Sequence, residues 1–249
     1  MFAWTKDGAP AEHPEPWGMK GAFTTLRRFP SGHLPFLNDH LDRLLDSANR
    51  TGLNWLPTPE KLSDRLEEFI ANQSQSKDAL IRICLFDSLL GISSRPALSD
   101  GNPVKGRLLE YRRPDPLTKS TAEAQLYGRL GELDVATEDW ILLDPEVGNL
   151  GESATSNLIF ASGKDLLIPD KQVLQGIVLS KLIPFLEAEY SVSRGSPGKE
   201  DLPHFDEIIL CGTGRGVAPM NALPELGWTS GNKEVFQKTR SHYKELVEA

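Results

Sequence analysis

Cysteine is scarce, with Cys84 and Cys211 the only two in 249 residues, each inside an apolar run (IRICLF and EIILC). Two thiols cannot build a disulfide scaffold, and a small thiol packs well in such runs. Positive charge is also short: 27 Lys and Arg stand against 35 Asp and Glu, for a formal net charge of −8 without a block of like charge. A basic face for nucleic acid is not expected. No apolar stretch is long enough to cross a bilayer, and MFAWTKDGAPAEHPEP lacks a basic start followed by an apolar segment, so a soluble cytoplasmic protein without membrane partners is the expectation. The five histidines, His13, His33, His40, His204 and His242, form no HExxH pattern, and there is no CxxC. No metal site is therefore expected. GESAT lacks the last glycine of a nucleophile elbow, which weighs against a serine hydrolase.

What is present is a 39% hydrophobic and 25% charged chain, enough to bury a real core. Prolines and glycines over residues 5–21 predict an irregular lead-in. FTTLRRF at 23–29 reads as a strand, with a hairpin to HLPFL across the SG turn. Asn38 or Asp39 then caps a helix whose stripe is Leu41, Leu44, Leu45 and Ala48. Thr58 and Pro59 open a second helix, and ALIRICLF and RLLEYRR read as strands. Pro114 and Pro116 break regular structure, which places a domain boundary there: 1–113 and 114–249. In the second half WILLD, TSNLIFAS, DLLIP and EIILCG are strands. A helix starts near Ile177, residues 193–203 form a surface loop, and residues 232–247 form an amphipathic helix.

Several short segments could carry chemistry. GTGRG at 212–216 follows a strand, and its N–H groups and Thr213 hydroxyl could make an anion nest, although a glycine turn leaving a strand is the plainer reading. HLDRL at 40–44 puts Arg43 beside an apolar stripe, where a surface arginine is ordinary unless a phosphate sits over that face. Lys119 by itself is an exposed lysine near a helix start. Glu152 in GESATSNLIF is by itself a turn glutamate, and Asn157 and Phe160 read as packing residues.

Taken in order, HLDRL, Lys119, GESATSNLIF, LQGIV and CGTGRGVAPM resemble the class-IV aminotransferase family, the fold-type IV pyridoxal-phosphate enzymes. Branched-chain and D-amino-acid aminotransferases and aminodeoxychorismate lyase belong to it. The resemblance runs from about residue 18 to 225. It implies an α/β (α+β) architecture with a small N-terminal α/β domain, a larger C-terminal β-barrel-like α/β domain, and pyridoxal 5′-phosphate in the cleft between them. Lys119 matches the Schiff-base lysine and proton shuttle, and Glu152 the partner of the pyridinium N–H. Arg43, the Ile177 and Val178 main-chain N–H groups, and Thr213 match the phosphate cradle. The resemblance also implies a homodimer and a small amino acid or aminodeoxychorismate as substrate.

The choice of reaction stays open. The run after Lys119 is STAEA, without the tyrosine of branched-chain enzymes, and Tyr127 is the nearest substitute. Residues 87–96, DSLLGISSRP, contain Arg95 but not the Arg-x-His of D-amino-acid enzymes. FTT at 23–25 resembles aminodeoxychorismate lyases, where transaminases more often show FET. An aminotransferase acting at Cα is the first reading. The second is the lyase, which releases pyruvate and 4-aminobenzoate, and the third is a non-catalytic binding protein retaining the fold.

Overall fold

The computed structural model describes residues 1–73 and 78–248. Among these the chain forms two compact units, one of residues 1–97 and 118–128, the other of residues 98–117 and 129–248. The division differs from the 113/114 boundary expected from the prolines. Residues 98–113 are not the end of the first unit, because their strand Val104–Glu110 pairs with strands of the second. Residues 118–128 return to the first unit.

In the first unit, β1 (Phe2–Thr5), β2 (Pro10–Ala11), β3 (Ala22–Arg28), β4 (Ala79–Leu85) and β5 (Leu89–Pro96) form a sheet of order β2-β1-β5-β4-β3, antiparallel throughout. Helices α1 (Leu37–Arg50) and α2 (Pro59–Ala71) bury Leu41, Leu44, Ala48, Leu62, Leu66 and Phe69 in one core with Leu26, Ile81 and Ile83. Each helix contributes a stripe at helical spacing, and the strands contribute alternate residues. A short third helix, α3 (Ala124–Tyr127), completes the unit.

Three local expectations change. The lead-in is not wholly irregular, since β2 falls inside it and pairs with β1. The hairpin between 23–29 and HLPFL does not form: a tight turn closes with Phe29 N–H donating to His33 at 2.9 Å, and β3 pairs along its whole length with β4 instead. Pro35 has no N–H to give a ladder. Helix α1 starts earlier than Asn38 or Asp39, with left-handed Phe36 (φ 57°) as its N-cap, so both residues lie in its first turn. There Asp39 still faces the positive end of the helix.

The second unit contains β6 (Val104–Glu110), β7 (Glu138–Leu143), β8 (Leu150–Ser153), β9 (Asn157–Ser162), β10 (Asp165–Ile168), β11 (Ser191–Arg194), β12 (Glu207–Gly212), β13 (Gly216–Leu223) and β14 (Trp228–Thr229). The path β11-β10-β9-β12-β13-β6-β7-β8 closes on itself because β8 also pairs with β9, through Glu152 opposite Asn157. The result is a closed, barrel-like sheet with β10, β11 and β14 added at its margin. Alternate residues Leu158 and Phe160, Ile208 and Leu210, and Ala218 and Met220 share a core with Ile141 and Leu143, as a period of two requires. Helices α4 (Ile177–Glu189) and α5 (Glu234–Glu248) pack against β12 and β13. The expected surface loop at 193–203 is partly regular: β11 takes its first two residues and a 3-10 turn takes Lys199–His204. No helix among the described residues is long and apolar enough to cross a membrane.

Candidate functional site

The sequence-predicted residues fall into two sets, each ordered within its own unit. Arg43 and Lys119 belong to the first unit; Glu152, Ile177, Val178 and Thr213 belong to the second.

Lys119 lies in an extended segment rather than a helix. Its carbonyl accepts from Phe23 N–H at 3.0 Å, its N–H donates to the buried Ser47 Oγ at 3.2 Å, and Ser120 bridges to Ala22. The backbone is thus tied to both β3 and α1. The Lys119 ε-nitrogen lies 4.8 Å from the Phe23 ring centroid and 5.4 Å from that of Tyr127. Tyr127 in turn stacks on Trp17 at 5.0 Å, and Phe23 meets both rings edge-on. An amine against this wall loses water on one side and keeps a fixed direction. Tyr127 therefore stands beside Lys119, although eight positions of chain separate them.

Arg43, on α1, donates from Nη2 to Thr24 Oγ1 at 3.1 Å, and Thr24 Oγ1 lies 3.0 Å from His40 Nδ1. The Thr24 hydroxyl, with one proton to give and two lone pairs, thus links the guanidinium to the imidazole. His40 is 1% exposed, and burial first, then the charges of Arg43 and Lys119, holds its pKa well below the ordinary histidine value. Thr24 and His40 were missing from the sequence reading, although His40 stands inside the HLDRL segment, three positions before Arg43 and one helical turn away.

In the second unit Glu152 is not in a turn. It is a buried residue of β8 at the closure of the barrel. Its carboxylate accepts from Leu174 N–H at 3.3 and 3.2 Å and lies 3.5 Å from Arg113 Nη1, both side chains being almost wholly buried. The pair borders a cleft of about 460 Å³ that Tyr111, Arg112, Gln172 and Arg194 also line. Asn157, across the ladder from Glu152, donates to the Leu174 carbonyl at 2.7 Å. One peptide neighbourhood, Leu174, is therefore gripped from both strands that close the barrel.

Three residues on, α4 begins. Its N-cap is Gly176, and no described side chain caps it, whereas Thr58 caps α2 and Glu207 accepts from Val235 and Phe236 N–H at 2.9 Å each at the start of α5. Ile177 and Val178 are thus the first residues of a helix whose N–H groups are available to an anion. A Cβ on Gly176 would fall 1.8 Å from Asn157 Oδ1, so any other residue leading into this helix would have to push the Asn157 side chain aside. Thr213 occupies the hairpin turn between β12 and β13. Among the described residues no group of three or more His, Cys, Asp and Glu could hold a metal ion.

Taken by chemistry, the donor set fits pyridoxal phosphate: an amine on an aromatic wall, a guanidinium, a buried carboxylate, and an uncapped helix start. No curated protein matches the chain significantly. Many solved structures share its fold, among them the following three. A branched-chain aminotransferase from the archaeon Thermoproteus uzoniensis is 21% identical, with a TM-score of 0.83 over 99% of this chain and 94% of its own. An aminotransferase from Brucella abortus bound to pyridoxal phosphate is 22% identical, with a TM-score of 0.79 over 100% and 99%. The Escherichia coli branched-chain aminotransferase is 18% identical, with a TM-score of 0.80 over 99% and 94%. The family model for class IV amino-transferases matches residues 21–223. The chain belongs to the class IV aminotransferase family, whose cofactor is pyridoxal 5′-phosphate.

Proposed function

We propose that the protein is an aminotransferase that moves an amino group between an amino acid and a 2-oxo acid. The observation that carries this is the double grip on Leu174: Glu152 accepts its N–H and Asn157 donates to its carbonyl, which ties a buried carboxylate to the open start of α4. A carboxylate held at a set spacing from an anion-binding helix start suits a ligand with a basic ring nitrogen at one end and a phosphate at the other.

Bound pyridoxal phosphate supplies the electron sink that stabilises negative charge at the substrate Cα. Lys119 would hold the cofactor through its ε-amine, and as a free amine it would carry the proton from the substrate Cα. The Phe23 and Tyr127 rings keep that amine on one line of approach. Glu152 would face the ring nitrogen and keep it protonated, with Arg113 3.5 Å from the carboxylate. Arg43, the Ile177 and Val178 N–H groups and Thr213 bind the phosphate, with Thr24 orienting Arg43. A homodimer and a cytoplasmic location belong to the same reading, supported by the family alone.

The test incubates the purified, cofactor-loaded protein with a panel of amino acids and 2-oxoglutarate, and separately with aminodeoxychorismate. Glutamate formation supports the proposal. Pyruvate with 4-aminobenzoate and no amino transfer would replace it with the lyase reading, and a protein that stays colourless with added pyridoxal phosphate would replace it with a non-catalytic one.

A further inference from the structure

Arg215 has no part in the reading above, yet it is buried in the GTGRG turn. Its side chain is 3% exposed, in the same turn as Thr213. Its Nε donates to Asp139 Oδ2 at 3.2 Å, and its Nη2 donates to the Glu138 carbonyl. Asp139, on β7, has a side chain with no exposure at all. The same Oδ2 accepts the hydroxyls of Ser153 at 2.9 Å and Thr155 at 2.5 Å. Ser153 is the next residue after Glu152 on β8, and Thr155 lies in the connection to β9. A Cβ on Gly212 would fall 2.6 Å from Ser156 Oγ and 2.7 Å from the Thr155 carbonyl, so the turn and this connection touch directly. The other side of the turn is held as well: Ser99 Oγ donates to the Gly214 carbonyl at 3.2 Å and Gly101 N–H to the Arg215 carbonyl at 2.9 Å.

Removing two opposite charges from water costs about what their attraction returns, so a buried pair is a weak source of stability and a strong constraint on geometry. This pair also leaves Asp139 Oδ1 and Arg215 Nη1 buried without hydrogen-bond partners among the described residues. That is a poor design for a contact kept for stability alone. We propose that the buried Asp139–Arg215 pair is the positioning element of the phosphate cradle: it locks the Thr213 turn to the β8–β9 connection that follows Glu152, so that the phosphate donor and the ring-nitrogen acceptor keep one spacing. The inference rests on the pyridoxal-phosphate reading. Arg215 and Asp139 are positioning residues in it, acting through Thr213.

The experiment compares binding of pyridoxal phosphate with binding of pyridoxal, which lacks the phosphate, to the intact chain. The variant is the double substitution Arg215→Met with Asp139→Leu, which removes both charges and strands neither. The expected result is that pyridoxal phosphate binds about tenfold more weakly while pyridoxal changes by no more than about twofold. Equal weakening of both ligands, or no change in either, overturns the proposal, because a merely structural role would not single out the phosphate. Should the double variant not fold, Thr155→Val removes one hydroxyl from Asp139 and carries the same comparison. About threefold weaker binding of pyridoxal phosphate with pyridoxal unchanged is then expected, and equal shifts refute it. A wild-type chain that binds neither ligand fails at an earlier point, since it rejects the cofactor reading itself.

Discussion

The two units hold their candidate residues by different means. In the first, Lys119 and Arg43 are long side chains whose positions come from other side chains: the Phe23 and Tyr127 rings for the amine, the Thr24 and His40 pair for the guanidinium. In the second, position comes from backbone. Glu152 and Asn157 face each other by strand register, Ile177 and Val178 are a helix start, and Thr213 is in a hairpin turn. Side-chain scaffolds can be weakened by degrees, because removing one hydroxyl leaves the fold standing. Backbone scaffolds fail together, because a shifted register or turn moves every group it carries.

Four experiments would break or sharpen this contrast. The largest effect is expected from Lys119→Ala. The segment is tied down by its main chain, so the melting temperature should stay close to wild type while amino transfer falls by at least about a thousandfold. Borohydride should then no longer fix a chromophore at position 119. Retained activity would remove Lys119 from the mechanism.

Gly176→Ala is the corresponding break in the second unit. Its Cβ would displace Asn157 Oδ1 and with it the hold on Leu174, which should cost about 1–3 kcal/mol of stability in a denaturant titration and weaken pyridoxal phosphate binding together with it. A stable variant with normal binding would show that the backbone scaffold tolerates movement.

Thr24→Val removes only the hydroxyl between Arg43 and His40. About 1–3 kcal/mol of stability should be lost, with weaker binding of pyridoxal phosphate and little change for pyridoxal. Loss of affinity for both compounds alike would mean that Thr24 supports the core and not Arg43.

The smallest effect concerns pH. His40 has a folded pKa depressed well below the ordinary 6.5, so the unfolded chain takes up a proton that the folded chain refuses. Its contribution is fully present above about pH 6.5 and is lost progressively as pH falls from there toward the folded value, by at most about 1.4 kcal/mol per pH unit. His13, lowered by burial, adds in the same direction. Denaturation profiles between pH 8 and 5 should be flatter in His40→Asn than in wild type; parallel profiles would show that His40 is not the titrating group.

Much of this was legible in the chain. The stripes of α1 and α2, the Thr58 cap and the strands of EIILCG and TSNLIFAS follow from periods of 3.6 and 2, which the local sequence carries. The segments bearing Arg43, Lys119, Glu152 and Thr213 could be picked out by order along the chain. What stayed hidden was non-local. The hairpin after β3 looked right locally, but Pro35 removes a donor and β4, fifty residues on, offers seven paired positions. Glu152 read as a turn because it follows Gly148 and Gly151, and only the closing pair with Asn157 makes it a strand. Nothing near Arg215 in the sequence announces Asp139.

From its sequence alone the protein was determined to be acidic, low in cysteine, built of alternating helices and strands, and supplied with an amine, a guanidinium and a carboxylate in a given order. Those properties are local, set by composition, spacing and side-chain chemistry. Tertiary structure alone decided that residues 98–117 join the barrel while 118–128 return to the first sheet, that Tyr127 faces the Lys119 amine, and that Asp139 meets Arg215. Each of these is a contact between distant positions, and such contacts are chosen by which pairings bury the most apolar surface and satisfy the most buried polar groups at once.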